Sequence, residues 1–191
     1  MKALEEKILR EGTVLPGHIL NVSCFLNHLL DVDFIMEMGE EIARLFKEEK
    51  ITKILTVETS GIAIAVGAAA KMHLPVVFAK KHKSGNLSGE MYTTVVHSYT
   101  HGIDYNIVVS KKFLDSSDRV LIIDDFLANG KALRGLIDIV HQSGAELVGC
   151  SCAIEKGFQG GGDALREEGI RVESLAIVET MSDDSLTFRS M

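Results

Sequence analysis

Val120-Leu-Ile-Ile-Asp-Asp-Phe-Leu-Ala-Asn-Gly-Lys-Ala132 governs the reading of the whole chain. Its first four residues are apolar and mostly β-branched, the pattern of a short strand buried on both faces. That strand carries two adjacent carboxylates, Asp124 and Asp125, to its end. A turn of small residues follows, Ala128-Asn129-Gly130, and a helix is predicted from Lys131 to Gln142 with Gly144 as its stop. A helix start offers backbone N–H groups without intrahelical acceptors and the positive end of the dipole, so it suits a phosphate. Small residues let that phosphate approach the backbone. Acids beside a phosphate cradle make sense if they serve another group. Carboxylates accept hydrogen bonds from vicinal hydroxyls and can help hold Mg²⁺. Ribose hydroxyls near a 5′-phosphate satisfy both halves of the site.

Outward from this stretch the chain alternates between helical and extended patterns. Residues 3–11 predict a short amphipathic helix with Leu4 and Ile8 on one face, stopped by Gly12; residues 13–30 read as irregular. Asp31 is the predicted N-cap of a helix to about Glu49, with an apolar stripe of Ile35, Met38, Ile42, Leu45 and Phe46. Ile51–Val57 predicts a strand, Glu58-Thr-Ser-Gly61 a turn, and Ile62–Met72 an Ala-rich helix apolar on most sides and so buried. Strands are predicted at Val76–Ala79, Met91–Tyr99, Tyr105–Val109 (around a turn at His101-Gly102), Leu147–Ile154 and Val172–Val178. A lysine-rich mobile loop is predicted over 80–90, a short helix over Asp163–Glu168, and a weakly patterned tail. The alternation predicts an α/β fold around a largely parallel sheet. In such sheets ligands bind at the carboxyl ends of the strands, so the loops beginning at Glu58, Lys80, Asp124 and Glu155 should gather along one edge.

Composition narrows the function classes. The chain has 191 residues, 46% hydrophobic and 25% charged, which fits one globular domain with a substantial core. Its 27 acidic and 20 basic residues give a net charge of −7, against a nucleic-acid binder. The N-terminal residues mix both charges and no apolar run approaches membrane-spanning length, so no membrane partner and a cytoplasmic location are expected. Cys24, Cys150 and Cys152 are odd in number and lack a CxxC pair, which favours core thiols in a reducing setting. No Walker-type loop is present, and Gly160-Gly-Gly162 lacks the strand-to-helix context of a nucleotide loop. No covalent nucleophile is assigned.

The stretch 120–132 resembles the ribose-phosphate motif of the type I phosphoribosyltransferases: an apolar strand, two acids, two apolar residues, a small residue and a glycine turn. The resemblance implies a type I phosphoribosyltransferase-like α/β fold over residues 1–191. Its core would span about 31–154, with a small hood built from about 1–30 and 155–191. It further implies that Asp124 and Asp125 hold the ribose hydroxyls of phosphoribosyl pyrophosphate (PRPP), while Ala128, Asn129, Gly130, Lys131 and Ala132 wrap the 5′-phosphate. Glu58-Thr59-Ser60-Gly61 resembles the family's pyrophosphate loop. Lys80-Lys-His-Lys83 matches its lysine-bearing lid, with Lys81 the implied catalytic contact. Two positions depart from the pattern. Asn129 stands where threonine is usual, and its amide can donate to phosphate. Ala128 stands where some purine-using members carry an aspartate proposed as general base, a gap more tolerable for an acidic purine.

Seen along its whole length, the chain is similar to bacterial xanthine phosphoribosyltransferases. The likeness is carried by Leu15, Leu20, Phe25-Leu-Asn-His28, Val57–Ala63, Val77–Ser84, Leu121–Gly130 and Ile154-Glu-Lys-Gly-Phe158. It implies that Leu20, Asn27 and Lys156 contact xanthine and that Phe158 stacks on the ring. It also implies Mg²⁺ carried on PRPP with no direct protein ligand, xanthine and PRPP as the small-molecule partners, and a homodimer. Guanine or hypoxanthine as the base, or a PRPP-sensing regulator on the same fold, are the alternatives.

Overall fold

A computed structural model describes residues 1–82, 90–98 and 103–190. In chain order the elements are α1 (Lys2–Glu11), β1 (Thr13–Leu15), β2 (Ile19–Asn21), α2 (Val32–Leu45), β3 (Lys53–Val57), α3 (Gly61–Met72), β4 (Val76–His82), β5 (Met91–Ser98), β6 (Ile103–Ser110), β7 (Arg119–Leu127), α4 (Lys131–Ser143), β8 (Glu146–Lys156), α5 (Gly161–Glu167), β9 (Val172–Met181) and β10 (Leu186–Phe188). One sheet of eight strands runs β10-β9-β8-β7-β3-β4-β6-β5. The five central strands, β9 to β4, are parallel; β10 at one edge and the β6–β5 hairpin at the other are antiparallel.

Alternation along β7 divides the core between the two faces of the sheet. Leu121 and Ile123 pack with Met38, Ile42 and Phe46 of the α2 segment and with Ile64 of α3. Val120 and Ile122 pack with Leu133, Leu136 and Val140 of α4. Both faces are therefore covered, as a parallel sheet requires. Helices α2 and α3 cross where both carry glycine. A methyl on Gly39 would lie 2.2 Å from the Gly67 carbonyl carbon, so the crossing depends on bare backbone.

Several sequence expectations are corrected by tertiary structure. The segment 13–30 is not irregular throughout: β1 and β2 form a short hairpin, and Ser23–Asn27 makes a wide helical turn. Its turn holds His18 at φ +59°. Asp31 does cap α2, accepting a hydrogen bond from the Phe34 amide, but the helix ends at Leu45 rather than Glu49. There the Arg171 guanidinium takes the Leu45 carbonyl at 2.7 Å and stacks 4.3 Å from the Phe46 ring. Helix α3 is not buried all round, since Val66 is half exposed. Strand β4 continues through Lys80 and Lys81 to His82, positions expected in a loop. The glycine run 160–162 opens α5, and the tail contains β10. Residues 83–89, the rest of the expected lysine loop, and the expected turn at His101-Gly102 lie outside the described residues.

The N-terminal segment is tied down by one buried cation. Lys7 reaches Asp31 at 2.8 Å and Glu11 at 3.1 Å, and its ammonium lies 5.3 and 5.0 Å from the Phe25 and Phe34 ring centres. Charge and stacking together offset the cost of taking a lysine out of water.

Candidate active site

The strand order reverses between β3 and β7: the chain moves outward from β3 to β4 on one side, and from β7 through β8 to β9 on the other. A crevice opens at such a switch point, outside the carboxyl ends of the two strands. The turn after β3 is Glu58–Gly61 and the end of β7 is Asp124-Asp125, so the fold brings together two motifs more than sixty residues apart. Gly61 shows how close they are. A methyl there would lie 2.4 Å from Thr56 Oγ1 and 2.9 Å from Asp124 Oδ1. Only a residue without a side chain lets α3 start directly against the aspartate.

Asp124 is buried, and its Oδ1 accepts a hydrogen bond from the Asp125 amide at 3.0 Å. Burial, and then the like charge of Asp125, push its carboxyl well above the ordinary carboxylate range. Asp125 is half buried at the strand end. The pair is thus a concentrated, poorly solvated acceptor set that hydroxyl donors or a cation would relieve. Burial and the nearby Asp124 charge also raise the Tyr105 phenol. The Lys81 ammonium sits 5.4 Å over the Tyr105 ring, and its positive charge opposes the upward shift of Asp124. Its backbone amide donates to Glu58 Oε1 at 2.5 Å. Lys81 therefore stands beside both the first turn and the acid pair.

The turn Ala128-Asn129-Gly130 follows β7 with Gly130 at φ +80°, and α4 begins at Lys131. Asn129 Oδ1 accepts from the Lys131 amide at 3.2 Å. Ala132 lies half buried in the first helical turn. Thr59 and Ser60 line a separate cleft of about 350 Å³ whose other wall includes Asn27 and His28. Asn27 is thereby placed next to the first turn.

Lys156 and Phe158 lie at the end of β8. The Lys156 ammonium donates to the His18 carbonyl at 2.9 Å and lies 5.9 Å from the Phe126 ring; burial lowers its basicity. The Phe158 and His18 rings are 5.6 Å apart and tilted by 50°. The β1–β2 turn thus meets the β8 loop. Leu20 is buried in the core among the N-terminal residues, whereas Asn27 is exposed.

Sequence reasoning missed three contributors. His18 meets both Lys156 and Phe158, inside a stretch that the sequence marks only as irregular. Gly161 packs against the 128–130 turn: its amide donates to the Ala128 carbonyl at 3.2 Å, and a methyl would lie 2.3 Å from that oxygen. Glu155, fully buried, is fixed by Arg166 through two hydrogen bonds of 2.9 and 2.6 Å.

Residues 26–180 match the family model described as the phosphoribosyl transferase domain. The chain belongs to the phosphoribosyltransferase family. This phosphoribosyltransferase is 54% identical over 191 residues to a xanthine phosphoribosyltransferase of Lachnoclostridium phytofermentans, covering 99% of this chain and 98% of that one. It is equally identical, over the full length of both, to the xanthine phosphoribosyltransferase of Bifidobacterium adolescentis. Among solved structures, the adenine phosphoribosyltransferase of Thermoanaerobacter pseudethanolicus superposes with a TM-score of 0.75 at 22% identity, covering 91% of this chain and 98% of that one. The Trypanosoma brucei adenine enzyme gives 0.78 at 18%, covering 94% and 81%. These structural likenesses establish the phosphoribosyltransferase fold. No helix among the described residues is long and apolar enough to cross a membrane.

Proposed function

We propose that this phosphoribosyltransferase moves the 5-phosphoribosyl group from PRPP to xanthine, giving xanthosine 5′-monophosphate and pyrophosphate. The carrying observation is the acid pair and small-residue turn of β7–α4 set at the switch point against Glu58–Gly61. The choice of base is supported by full-length relatives at 52–55% identity that are named for xanthine.

In the reaction a purine ring nitrogen bonds to ribose C1, the C1–oxygen bond to pyrophosphate breaks with its electron pair leaving on pyrophosphate, and the proton of that purine nitrogen passes to water. The chain contributes positioning and electrostatics. Asp124 and Asp125 accept the ribose hydroxyls and favour positive charge developing on the ring. The turn and α4 start from Ala128 to Ala132 wrap the 5′-phosphate, which would compete with Asn129 Oδ1 for the Lys131 amide. Glu58, Thr59, Ser60 and Gly61 face the leaving pyrophosphate, with Lys81 adding a cation beside them. Lys156 donates to the base, Phe158 stacks on it, Asn27 reaches it from the first-turn side, and Leu20 backs the hood that covers it. The hood is formed by residues 1–30 and 155–191. Mg²⁺ fits as a partner of PRPP, because the crowded carboxylates of Asp124 and Asp125 would accept hydrogen bonds from water on the cation; when bound it would screen the leaving pyrophosphate. A cytoplasmic homodimer completes the proposal.

The test is nucleotide formation from PRPP and Mg²⁺ with xanthine, guanine, hypoxanthine and adenine offered separately. Preference for xanthine is the expected result. Preference for guanine or hypoxanthine would reassign the base pocket. Binding of PRPP without turnover of any purine would make the protein a PRPP sensor.

A further inference from the structure

We propose that Arg189, beyond β10, is a positioning residue for the purine: through Asp163 and Arg166 it sets the direction in which Lys156 and Phe158 face the base. The proposal deepens the xanthine-transfer reading and rests on it.

Five charged groups alternate in sign from the β8 end to the C-terminal segment. Glu155 is fully buried and takes the Arg166 guanidinium in a two-point bond. Ser174 also donates to Glu155. Arg166 Nη1 shares Asp163 Oδ1, at 3.1 Å, with Arg189 Nη1, at 2.8 Å. Arg189 Nη2 holds the other Asp163 oxygen at 3.0 Å, and its Nε donates to Glu179 at 2.5 Å. Planar guanidinium forks give such links direction as well as charge.

Geometry connects the network to the base. Glu155 and Lys156 are neighbours on a strand, so their side chains leave opposite faces. Fixing Glu155 on the α5 side fixes Lys156 on the His18 side. Gly157, the next residue, packs under Arg189: a methyl there would lie 3.1 Å from Nη2. Arg189 therefore touches the joint between Lys156 and Phe158 as well as the ion-pair chain. Asp163 and Arg166 lie on α5, whose Gly161 backbone also meets the 128–130 turn, but the Arg166–Glu155 pair still ties α5 down without Arg189, whereas the Gly157 joint loses the side chain that packs on it. Losing Arg189 should thus loosen the purine side and leave the PRPP side in place. Arg189 is itself about one-third exposed, so its removal leaves no large cavity.

The experiment compares Arg189→Ala, Arg189→Lys, Asp163→Asn and the Arg189→Ala/Asp163→Asn double variant with the parent, measuring KM for xanthine and for PRPP, kcat and Tm. Arg189→Ala should raise the xanthine KM about tenfold, the scale of one charge-assisted hydrogen bond to the base. PRPP KM and kcat should stay within about twofold, and Arg189→Lys, which keeps the charge without the fork, should fall between. The double variant should show less than the product of the single effects. If the parent uses another purine, the same comparison is made with that base, so failure of the xanthine reading is separate. An unchanged purine KM, a loss shared equally by both substrates, or a loss confined to PRPP overturns the proposal.

Discussion

Gly161→Ala tests whether the 128–130 turn, proposed to take the 5′-phosphate, is held from behind by α5. The added methyl would start 2.3 Å from the Ala128 carbonyl oxygen, 2.4 Å from the Asn129 carbonyl carbon and 2.5 Å from the Gly130 nitrogen. All three are backbone atoms, so no side chain can swing aside. Ordinary contact lies near 3.4 Å, and the turn or the helix must retreat by about 1 Å. Displacement of that size at a positioning site costs about 10²-fold in rate. The over-packing itself costs about 1–3 kcal/mol of stability. Steady-state rates of nucleotide formation should therefore show kcat/KM for PRPP down about a hundredfold, and calorimetric titration should show weaker PRPP binding. Gly160→Ala is the control. It sits at φ +72° with no heavy atom near its added methyl, so it strains the backbone without pushing on the turn. Its PRPP kinetics should match the parent. A Gly161→Ala enzyme with parental PRPP kinetics would show that the turn is not braced by α5, and the placement of the 5′-phosphate at 128–132 would lose its structural support.

Three shorter predictions follow from the same geometry. Burial and the Asp125 charge raise the Asp124 carboxyl, so between the ordinary carboxylate range and the raised value the folded chain keeps a proton that the unfolded chain has lost. Stability then falls as pH rises through that window. Asp124→Asn should raise Tm at pH 7, the gain should shrink toward pH 4, and transferase activity should be lost; a gain independent of pH in thermal melts would contradict this. Lys156→Ala should raise the purine KM at least about tenfold, the scale of one charge-assisted hydrogen bond, with PRPP KM unchanged in initial-rate assays. Gly39→Ala should lower Tm by roughly 5 °C, because its methyl meets the Gly67 backbone at 2.2 Å, while kinetics at 25 °C stay parental.

How much of this was legible in the sequence depended on the range of the interactions. The β7–α4 unit could be read because everything that specifies it is contiguous: four apolar residues, two acids, a glycine for the positive φ at 130, and a helix start. Helix α2 was legible at its front, where the Asp31 cap is local. Its end was not, because Arg171, far along the chain, stops it at Leu45. Strands β1, β2 and β10 have three residues each, too few for an alternation to show. Gly161 carried no readable signal because its reason is the backbone of residues 128–130, thirty positions away. The placement of Leu20 in the core agrees with its bare chemistry, and only the family resemblance links it to the base.

A chain of net charge −7 that is proposed to bind a polyanion must concentrate positive potential locally. The fold does so mainly with backbone. Helices α3 and α4 both start at the crevice, from Gly61 and Lys131, and their first-turn amides and dipoles face the two ends of the proposed PRPP site. Gly61 lets the α3 start approach Asp124, and Gly161 lets α5 back the turn that leads into α4. Side-chain cations are then needed only beside the proposed leaving group, where Lys81, whose amide meets Glu58 and whose charge acts on Asp124, would serve. The acid pair carries the opposite burden. Burial and the neighbouring acid make charge on Asp124 costly, a cost that ribose hydroxyls or a cation would offset in the proposed complex.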